Sequence, residues 1–350
     1  MSNIVSVSGF GWSGSGAVVD LLREYNDVDI LDANGTDFEF DLLPAISRLD
    51  YGLNLINARM MSSDAIAKFR SDINFYVQER GYDRVFDSKF SILANKYIED
   101  FIDFSFWGWD FSDKVNPANK WKNRYNSVIS HIFNNRITTH IMLSRRIWTR
   151  LMIKVNHRMS VSYYPENFME RTKEFLNSLF DQKHVHKDFP LIVDQMFPPD
   201  QPELFMKYVD GAKCIVVRRD PRDTYLLAKC GIKYMSVPLP IENVDDFILF
   251  YRKIVENTKA ENNDSVLSIR FEDLIYKYDD TIKEIEEFLH ISEHTNVKGR
   301  FNPAVSINNT QLFKKYVEYA EDVEKIEKAL PASLYNFDIF DFQRTSSEVF

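Results

Sequence analysis

The sequence predicts an α/β fold in which one parallel sheet, flanked by helices on both faces, makes three layers. Short apolar stretches of strand length alternate with stretches of helical periodicity, as expected for strands joined by right-handed crossovers. The clearest strand is KCIVV at 213–217, because a nearly continuous apolar run is typical of a strand buried on both faces. A hydrophobic fraction of 45% supports a large core. We expect a single domain over residues 1–350, with a largely helical, basic insertion at about 95–188. The pattern also predicts a strand or loop over 82–92, a helix from Thr224 to Cys230, and a C-terminal helix from about Gln311 to Leu330.

A glycine-rich turn follows the first predicted strand. The strand IVSV at 4–7 leads into GFGWSGSG at 9–16 and then into the helical run AVVDLL at 17–22. Glycines let backbone N–H groups converge, and the helix N-terminus adds its dipole, so the turn predicts a phosphate or sulfate site. Ser15 and Gly16 stand where an ATP-binding phosphate loop has its lysine and its magnesium-binding hydroxyl. The alternative is a plain strand–helix turn that happens to be rich in glycine.

Later strands end next to charged residues. Arg218 and Arg219 follow the strand at 213–217, and they predict either an anion contact or a structural Arg–Asp pair within RRDPRD. Glu39 follows a short strand at 29–31, and Asp194 lies near the end of a strand at 189–196. Because ligands of open α/β sheets sit at the carboxyl ends of strands, either carboxylate could be a general base. A solvated surface residue is the alternative for Glu39, and also for Lys89, which we considered as an anion contact.

The middle of the chain is unusually basic. Ten lysines and arginines lie between Asp113 and Glu166, and no acidic residue does, although the whole chain has a net charge of −9. The basic segment, 114–158, predicts a surface that faces an anionic ligand, such as an acidic polysaccharide or a lipid headgroup, with helical periodicity over 137–154. A solvated helical face that balances acidic surface elsewhere is the alternative.

Composition argues against several classes of protein. The negative net charge argues against nucleic acid as a partner of the whole chain. No apolar run approaches the roughly 20 residues of a membrane span, and the N-terminus enters a strand without signal-peptide features. The two cysteines make no disulfide framework, and the histidines at 131, 140, 157, 184 and 186 do not have the spacing of a zinc site. We therefore expect a cytoplasmic protein without a metal.

Taken together, these segments resemble the sulfotransferases that use 3′-phosphoadenosine 5′-phosphosulfate (PAPS). GFGWSGSGAVVDLL at 9–22 is similar to the loop that binds the 5′-phosphosulfate in that family. KCIVVRRDPRD at 213–223 resembles the 3′-phosphate motif, and IRFEDL at 269–274 resembles the strand and turn written (R)YEDL. KGRFNP at 298–303, followed by SINN, resembles the Lys-Gly loop that covers the nucleotide. RDPRD followed by RFEDL about fifty residues later is the most specific combination.

The resemblance implies a P-loop-like fold and a metal-free transfer of a sulfuryl group from PAPS to an acceptor hydroxyl. It implies a carbohydrate acceptor, with a sterol or other lipid alcohol as the alternative and a nucleotide-binding protein without transferase activity as the third hypothesis. In the branch that acts on glycans and tyrosine a glutamate in this context is the base, which implies Glu39. A histidine serves in other branches. The donor-binding residues that it implies are Gly11, Trp12, Ser13, Gly14, Ser15, Gly16, Ala17, Arg219, Lys298, Gly299 and Arg300.

Two positions depart from the family's pattern. Trp12 stands where the first loop normally carries lysine or arginine, and Leu227 stands where a serine normally contacts the 3′-phosphate. A cation from elsewhere must then serve the leaving phosphate, with Lys89, Lys298 and Arg300 as candidates. Without such a cation, the resemblance implies a weak or altered enzyme.

Overall fold

The computed structural model describes residues 3–33, 35–55, 59–108, 120–134, 150–155, 157–231, 238–338 and 340. The strands are β1 (Ile4–Gly9), β2 (Asp29–Ile30), β3 (Phe104–Gly108), β4 (His157–Val161), β5 (Leu191–Asp194), β6 (Lys213–Arg218) and β7 (Val266–Arg270). The first helices are α1 (Ser15–Leu22), α2 (Leu43–Asp50), α3 (Arg59–Gln78), α4 (Tyr82–Val85), α5 (Phe90–Glu99), α6 (Lys120–Asn134) and α7 (Phe168–Phe180). The later helices are α8 (Glu203–Met206), α9 (Pro221–Cys230), α10 (Val244–Phe250), α11 (Asp273–Tyr276), α12 (Tyr278–Leu289), α13 (Pro303–Ser306) and α14 (Ala320–Ala329).

A five-stranded sheet forms the centre of the fold. Its strand order is β2-β5-β1-β6-β7, and all four pairings are parallel. Every residue of β1 is buried, so both faces of the sheet are covered at its centre. One core cluster joins β1, β6 and β7 to α1 and α12, and this packing fixes the glycine-rich loop at the carboxyl end of the central strand. The predicted α/β fold with a P-loop-like strand–loop–helix is confirmed.

The chain groups into two compact units, which are described separately. The sheet unit comprises Met1–Pro44, Asp83–Lys89 and Thr172–Phe350, and the second unit comprises Ala45–Tyr82 and Phe90–Arg171. In the second unit, α3 packs on α5 and on β4, and β4 pairs with β3 as an antiparallel ribbon. The expectation of a single domain with an insertion at about 95–188 stays a prediction.

Three predicted elements were wrong in detail. The C-terminal helix, predicted from about 311 to 330, begins only at Ala320 after two short 3₁₀ turns, because Gln311 has a left-handed backbone (φ 50°). The segment at 82–92, predicted as a strand or loop, contains the short helix α4 and then the start of α5 at Phe90. The helix after RRDPRD begins at Pro221 rather than Thr224, since Asp220 caps it. Most of the helical periodicity predicted over 137–154 lies outside the described residues.

Candidate functional site

The glycine-rich loop after β1 needs glycine at particular positions. Gly11 and Gly14 have φ of 77° and 91°, values that side chains rarely adopt. A Cβ at Gly14 would lie 2.4 Å from the ring of Phe271, and a Cβ at Gly9 would lie 2.2 Å from the hydroxyl of Ser13. The loop is therefore packed tightly against its surroundings.

Gln195 holds the loop from the neighbouring strand β5. Its amide nitrogen donates to the hydroxyl oxygen of Ser15 at 2.8 Å, and its amide oxygen accepts the N–H of Gly9 at 3.2 Å. Within the loop, the hydroxyl oxygen of Ser13 accepts the N–H of Phe10 at 3.2 Å. Ser13 is thus a buried structural residue, whereas Ser15 faces the cavity described next. The sequence alone did not single out Gln195.

A cavity of about 380 Å³ opens at the N-terminus of α1. That helix has Gly14 as its N-cap, no side-chain cap and no acidic residue in its first turn. Its first N–H groups and its positive dipole end can therefore act on a ligand in the cavity. The cavity is lined by Trp12, Gly14, Ser15, Gly16, Ala17, Asp20, Arg219, Leu227, Phe271, Arg300, Phe301, Ser306 and Asn309.

Seven of the predicted site residues meet in this cavity. They come from three distant segments, namely the first loop, the end of β6 and the loop at 298–301, and they are Trp12, Gly14, Ser15, Gly16, Ala17, Arg219 and Arg300. Gly11 and Ser13 line a neighbouring gap of only about 10 Å³ instead. Leu227 also lines the cavity, so the position where the family carries a serine brings an apolar side chain to the site.

Arg219 is almost completely buried, with 3% of its surface exposed. One terminal nitrogen donates to the carbonyl of Trp12 at 3.1 Å, and the other donates to the carbonyl of Asn309. The guanidinium lies 4.7 Å from the ring centre of Phe271, and its Nε is buried without a hydrogen-bond partner. Burial lowers the pKa of Arg219, and nearby carboxylates oppose that shift. Two of the five guanidinium N–H groups are used in these bonds, so the others, including the Nε–H, are the donors that this side chain can still offer to a ligand.

The other charges of RRDPRD serve the fold. The carboxylate of Asp220 accepts the N–H and two side-chain N–H groups of Arg222, at 2.8–2.9 Å, and all four groups are buried. Glu272, from the RFEDL segment, accepts the N–H of Asp220 at 2.7 Å. Asp223 accepts the N–H groups of Gln311 and Leu312 at 2.8 and 2.7 Å. The two motifs thus fasten β6, β7 and the C-terminal segment together, and the structural Arg–Asp pair is Arg222 with Asp220.

The loop at 294–301, which carries Arg300, is held by Glu24. This residue is 1% exposed and lies just past α1. Its carboxylate accepts the ring N–H of His294 at 2.7 Å and the backbone N–H groups of Lys298, Arg300 and Phe301 at 2.7–3.0 Å. Burial alone would raise the pKa of Glu24, but these hydrogen bonds bring it below the usual value. Glu24 was not identified from the sequence.

Lys298 and Gly299 do not line the cavity. The ammonium of Lys298 lies 5.0 Å from the ring centre of Tyr278, where a cation–π contact holds it. A Cβ at Gly299 would lie 2.2 Å from the side chain of Asn296, so this glycine allows a tight turn. Lys89 is exposed and donates to Gln182. Of the three cations considered as replacements at Trp12, only Arg300 lines the cavity.

Glu39 and Asp194 lie side by side at the edge of the sheet. The two residues form an isolated parallel bridge, and the N–H of Phe40 donates to the carbonyl of Asp194 at 2.8 Å. Glu39 is exposed, whereas one carboxylate oxygen of Asp194 is buried without a hydrogen-bond partner. Burial, and then the nearby charge of Glu39, raises the pKa of Asp194 to about 7. Asp194 directly precedes Gln195, which holds the glycine-rich loop.

Neither a metal-binding cluster nor a membrane-spanning helix occurs among the described residues. No group of three or more His, Cys, Asp or Glu side chains in the described ranges could hold a metal ion. Among the described helices, none has both the length and the apolar character that a membrane crossing requires. The ring N–H of buried His184 donates to the carbonyl of Phe189 at 2.8 Å, and His186 contacts Asp29. Neither histidine lines the cavity.

Comparisons with known proteins found distant similarity to solved structures. No protein-family model matches the chain, and no curated protein matches it. Among solved structures, the chain is similar to a sulfotransferase domain from the curacin biosynthetic pathway, with 11% sequence identity and a TM-score of 0.35. The match covers 96% of this chain and 99% of that chain. At this level of similarity we assign no residue from the match.

Proposed function

We propose that this chain is a sulfotransferase that moves the sulfuryl group of PAPS to an acceptor hydroxyl. The observation that carries the proposal is the cavity in which the open N-terminus of α1 meets Arg219 and Arg300. This set suits a dianionic or more highly charged ligand. It does not suit ATP with magnesium, because Ser15 and Gly16 replace the lysine and the hydroxyl ligand. The cavity volume of about 380 Å³ falls within the range of small-molecule sites.

The donor's two anionic ends would contact different parts of the cavity. The N–H groups from Gly14 to Gly16 would bind the 5′-phosphosulfate, since that of Ala17 donates to the carbonyl of Gly14 at 3.1 Å, and the remaining N–H groups of Arg219 would bind the 3′-phosphate. Two of the five N–H groups of Arg219 already donate to backbone carbonyls, so its contribution to binding is its charge plus hydrogen bonds from the remaining N–H groups. Because Leu227 adds no hydroxyl, the 3′-phosphate has fewer contacts than the family's pattern implies.

The reaction is an in-line displacement at sulfur. The acceptor oxygen forms a bond to sulfur, and the bond between sulfur and the bridging phosphate oxygen breaks, releasing 3′-phosphoadenosine 5′-phosphate. Negative charge develops on that bridging oxygen. Donors already oriented at such a position typically stabilise the transition state by about 3–4 kcal/mol each. We assign this role to the N–H groups of the loop and to Arg300, which replaces the cation missing at Trp12.

The acceptor's proton goes to a carboxylate at the edge of the sheet. We propose Glu39, as the resemblance implies, with Asp194 as the alternative base. The exposed carboxylate of Glu39 can meet an acceptor from solvent, while the raised pKa of Asp194 would suit a group that exchanges protons near neutral pH. We further propose a carbohydrate acceptor, with a sterol or other lipid alcohol second.

The second candidate function is nucleotide binding without transfer. Trp12 and Leu227 favour it, because both remove a polar contact from the donor site. The two functions share the cavity and differ only in whether sulfur leaves the donor. They are therefore separated by measuring binding and transfer on the same preparation.

The test is transfer of label from radiolabelled PAPS to panels of glycans and sterols, beside calorimetric binding of 3′-phosphoadenosine 5′-phosphate. We expect labelled product, and we expect Glu39→Gln to bind the nucleotide normally but to lose at least tenfold in turnover. Asp37→Asn, a neighbouring exposed carboxylate, is the matched control. Nucleotide binding with no label on any acceptor would favour the binding protein. Unchanged turnover in Glu39→Gln would move the base to Asp194 or a histidine.

Arg219 has its own test. Arg219→Lys keeps the charge but removes the Nε–H at its present position, so binding of the 3′-phosphorylated nucleotide should weaken by about tenfold or more. Binding of the 3′-dephospho analogue should change much less. Equal losses for both nucleotides would reject the assigned contact and leave Arg219 with its structural role alone.

A further inference from the structure

Helix α6 in the second unit carries an exposed apolar stripe. Trp121, Tyr125, Val128 and Ile132 follow one another at intervals of four, three and four residues, which places them on one face of the helix. All four are exposed, from 38% for Tyr125 to 61% for Trp121. Exposed apolar side chains that are scattered singly are common, but a continuous stripe of this kind marks an interaction surface.

The side of the helix away from the stripe, which is mostly polar, faces the protein. The side-chain amide of Asn126 donates to the carbonyl of Ile153 at 2.8 Å and accepts the N–H of Ile153 at 2.9 Å. Ile129 and Ser130, also away from the stripe, are half-buried. This orientation is the reverse of an ordinary surface helix, which buries its apolar face and exposes its polar one. The contacts at Ile153 hold the helix so that the stripe stays turned to solvent.

Basic residues lie on both sides of the stripe. Helical spacing places Lys122 on one side and Lys120 and Arg124 on the other. The ammonium of Lys122 lies 5.8 Å from the ring centre of Trp121, so charge and aromatic surface are adjacent. Arg150 and Lys154, next to the Ile153 contact, are exposed as well. No acidic residue occurs in the sequence between Asp113 and Glu166, so nothing in this segment neutralises the cations.

We propose that this stripe binds the surface of a membrane that contains anionic lipids. A helix with aromatic and aliphatic residues on one face, bordered by lysine and arginine, is the arrangement that inserts into the headgroup region. The tryptophan and the tyrosine suit that region, because each has an apolar body and a polar edge. The basic residues would add attraction to anionic headgroups.

The size of the stripe favours a membrane over a second protein. From Trp121 to Ile132 it is about 17 Å long, at 1.5 Å per residue, and one helix wide. A stable protein interface needs roughly 800 Å² and about 20–30 residues from each partner, whereas this stripe offers four apolar side chains. A bilayer needs no matching shape, since a few inserted side chains and several cations suffice for peripheral binding.

The experiment measures co-sedimentation of the full chain with vesicles of phosphatidylcholine alone and of phosphatidylcholine with 25% phosphatidylglycerol. One variant, Trp121→Ser/Val128→Ser, removes half of the stripe, and another, Lys120→Gln/Lys122→Gln/Arg124→Gln, removes the flanking charge. Leu204→Ser/Leu249→Ser, which changes two exposed leucines of the sheet unit, is the matched control. Thermal melting and nucleotide binding verify that each variant is folded.

We expect binding to the anionic vesicles that weakens roughly fivefold for each basic residue removed and declines at high salt. The stripe variant should lose at least tenfold, and the control variant should bind as the wild type does. Absence of binding to either vesicle by the folded wild-type chain would overturn the proposal. A dimer that depends on the stripe, without vesicle binding, would overturn it in favour of a second copy of this chain. Neither outcome bears on sulfuryl transfer, which is measured separately.

Discussion

Glu24 is expected to control the stability of the loop at 294–301 and, through it, the binding of the donor. The perturbation is Glu24→Gln, which keeps the size of the side chain and removes its charge. At present one carboxylate oxygen accepts the N–H groups of Arg300 and Phe301, and the other accepts those of Lys298 and His294. A glutamine oxygen can keep one of these pairs, but its NH₂ group then faces donors on the other side.

The expected loss follows from those contacts. The backbone N–H of Lys298 can only donate, so it is left without an acceptor in an environment where Glu24 is 1% exposed. The remaining bonds lose their charge assistance. Hydrogen bonds to charged groups contribute about 1.5–3 kcal/mol each, so we expect the free energy of unfolding to fall by about 3 kcal/mol. Since the pKa of Glu24 is lowered in the folded chain, its contribution is present above about pH 4.5 and is lost as the pH falls through the folded value.

The assay combines urea unfolding with calorimetric binding of 3′-phosphoadenosine 5′-phosphate. Glu24→Gln should lower both the unfolding midpoint and the affinity, because Arg300 lies on the loop that Glu24 holds. Glu293→Gln, an exposed carboxylate of the same loop, is the control and should change neither. The reasoning is refuted if Glu24→Gln unfolds within about 0.5 kcal/mol of the wild type, a difference within the usual range for surface changes. Lower stability with unchanged affinity would separate the loop from the donor site.

Three further predictions concern the cavity and the edge of the sheet. Gly14→Ala should destabilise the chain by about 2–4 kcal/mol in thermal unfolding, because Gly14 has a positive φ and its new Cβ would clash with the ring of a neighbouring phenylalanine. Gly16→Ala should be neutral or slightly stabilising, because no atom lies within 4 Å of its Cβ position. Arg300→Ala should reduce the rate of sulfuryl transfer about a hundredfold. Adding Trp12→Lys should restore part of that rate, and no rescue in the double variant would reject Arg300 as the substitute cation. Because the pKa of Asp194 is raised to about 7, its contribution to stability is full below about pH 4 and declines as the pH rises to 7. The free energy of unfolding of Asp194→Asn should therefore rise relative to that of the wild type across this window. A constant difference between the two proteins would contradict the assignment.

The five-stranded sheet could be predicted because each of its strands has a local sequence pattern that identifies it. An apolar run such as 213–217, followed by a turn and a helical stretch, identifies a buried parallel strand without knowledge of its neighbours. The glycine-rich loop is equally local, since residues 9–16 carry both the turn and the first residues of the helix. The C-terminal helix was placed too early because residue 311 is not helical: Gln311 has a left-handed backbone, and Asp223, about 88 residues away, accepts the N–H groups of Gln311 and Leu312. No pattern near 311 contains that information.

The polar residues that build the site were harder to assign. Glu24 and Gln195 look like ordinary surface residues in sequence, because the contacts that give them their roles are with segments about 270 and 180 residues away. The sequence left open whether RRDPRD contacts an anion or contains a structural Arg–Asp pair, and the structure shows that Asp220 and Arg222 are buried and paired with one another. Charge in a motif therefore identified the right segment of the chain, while burial decided which charges are left to meet a ligand.

Trp12, which stands where the resemblance implies a cation, is held in place by the surrounding loop contacts. The backbone of Trp12 is left-handed, with φ 58°, and its carbonyl accepts a hydrogen bond from Arg219. Arg219 therefore helps to hold this loop, and in the proposed function its N–H groups other than the two bound to the Trp12 and Asn309 carbonyls would contact the 3′-phosphate. We propose that the charge near the leaving phosphate comes from Arg300, whose backbone N–H donates to Glu24 just past the end of α1. One helix thus supplies the open N–H groups at its start and, just past its end, the anchor for the cation, so the positions of both depend on the packing of α1 against the sheet.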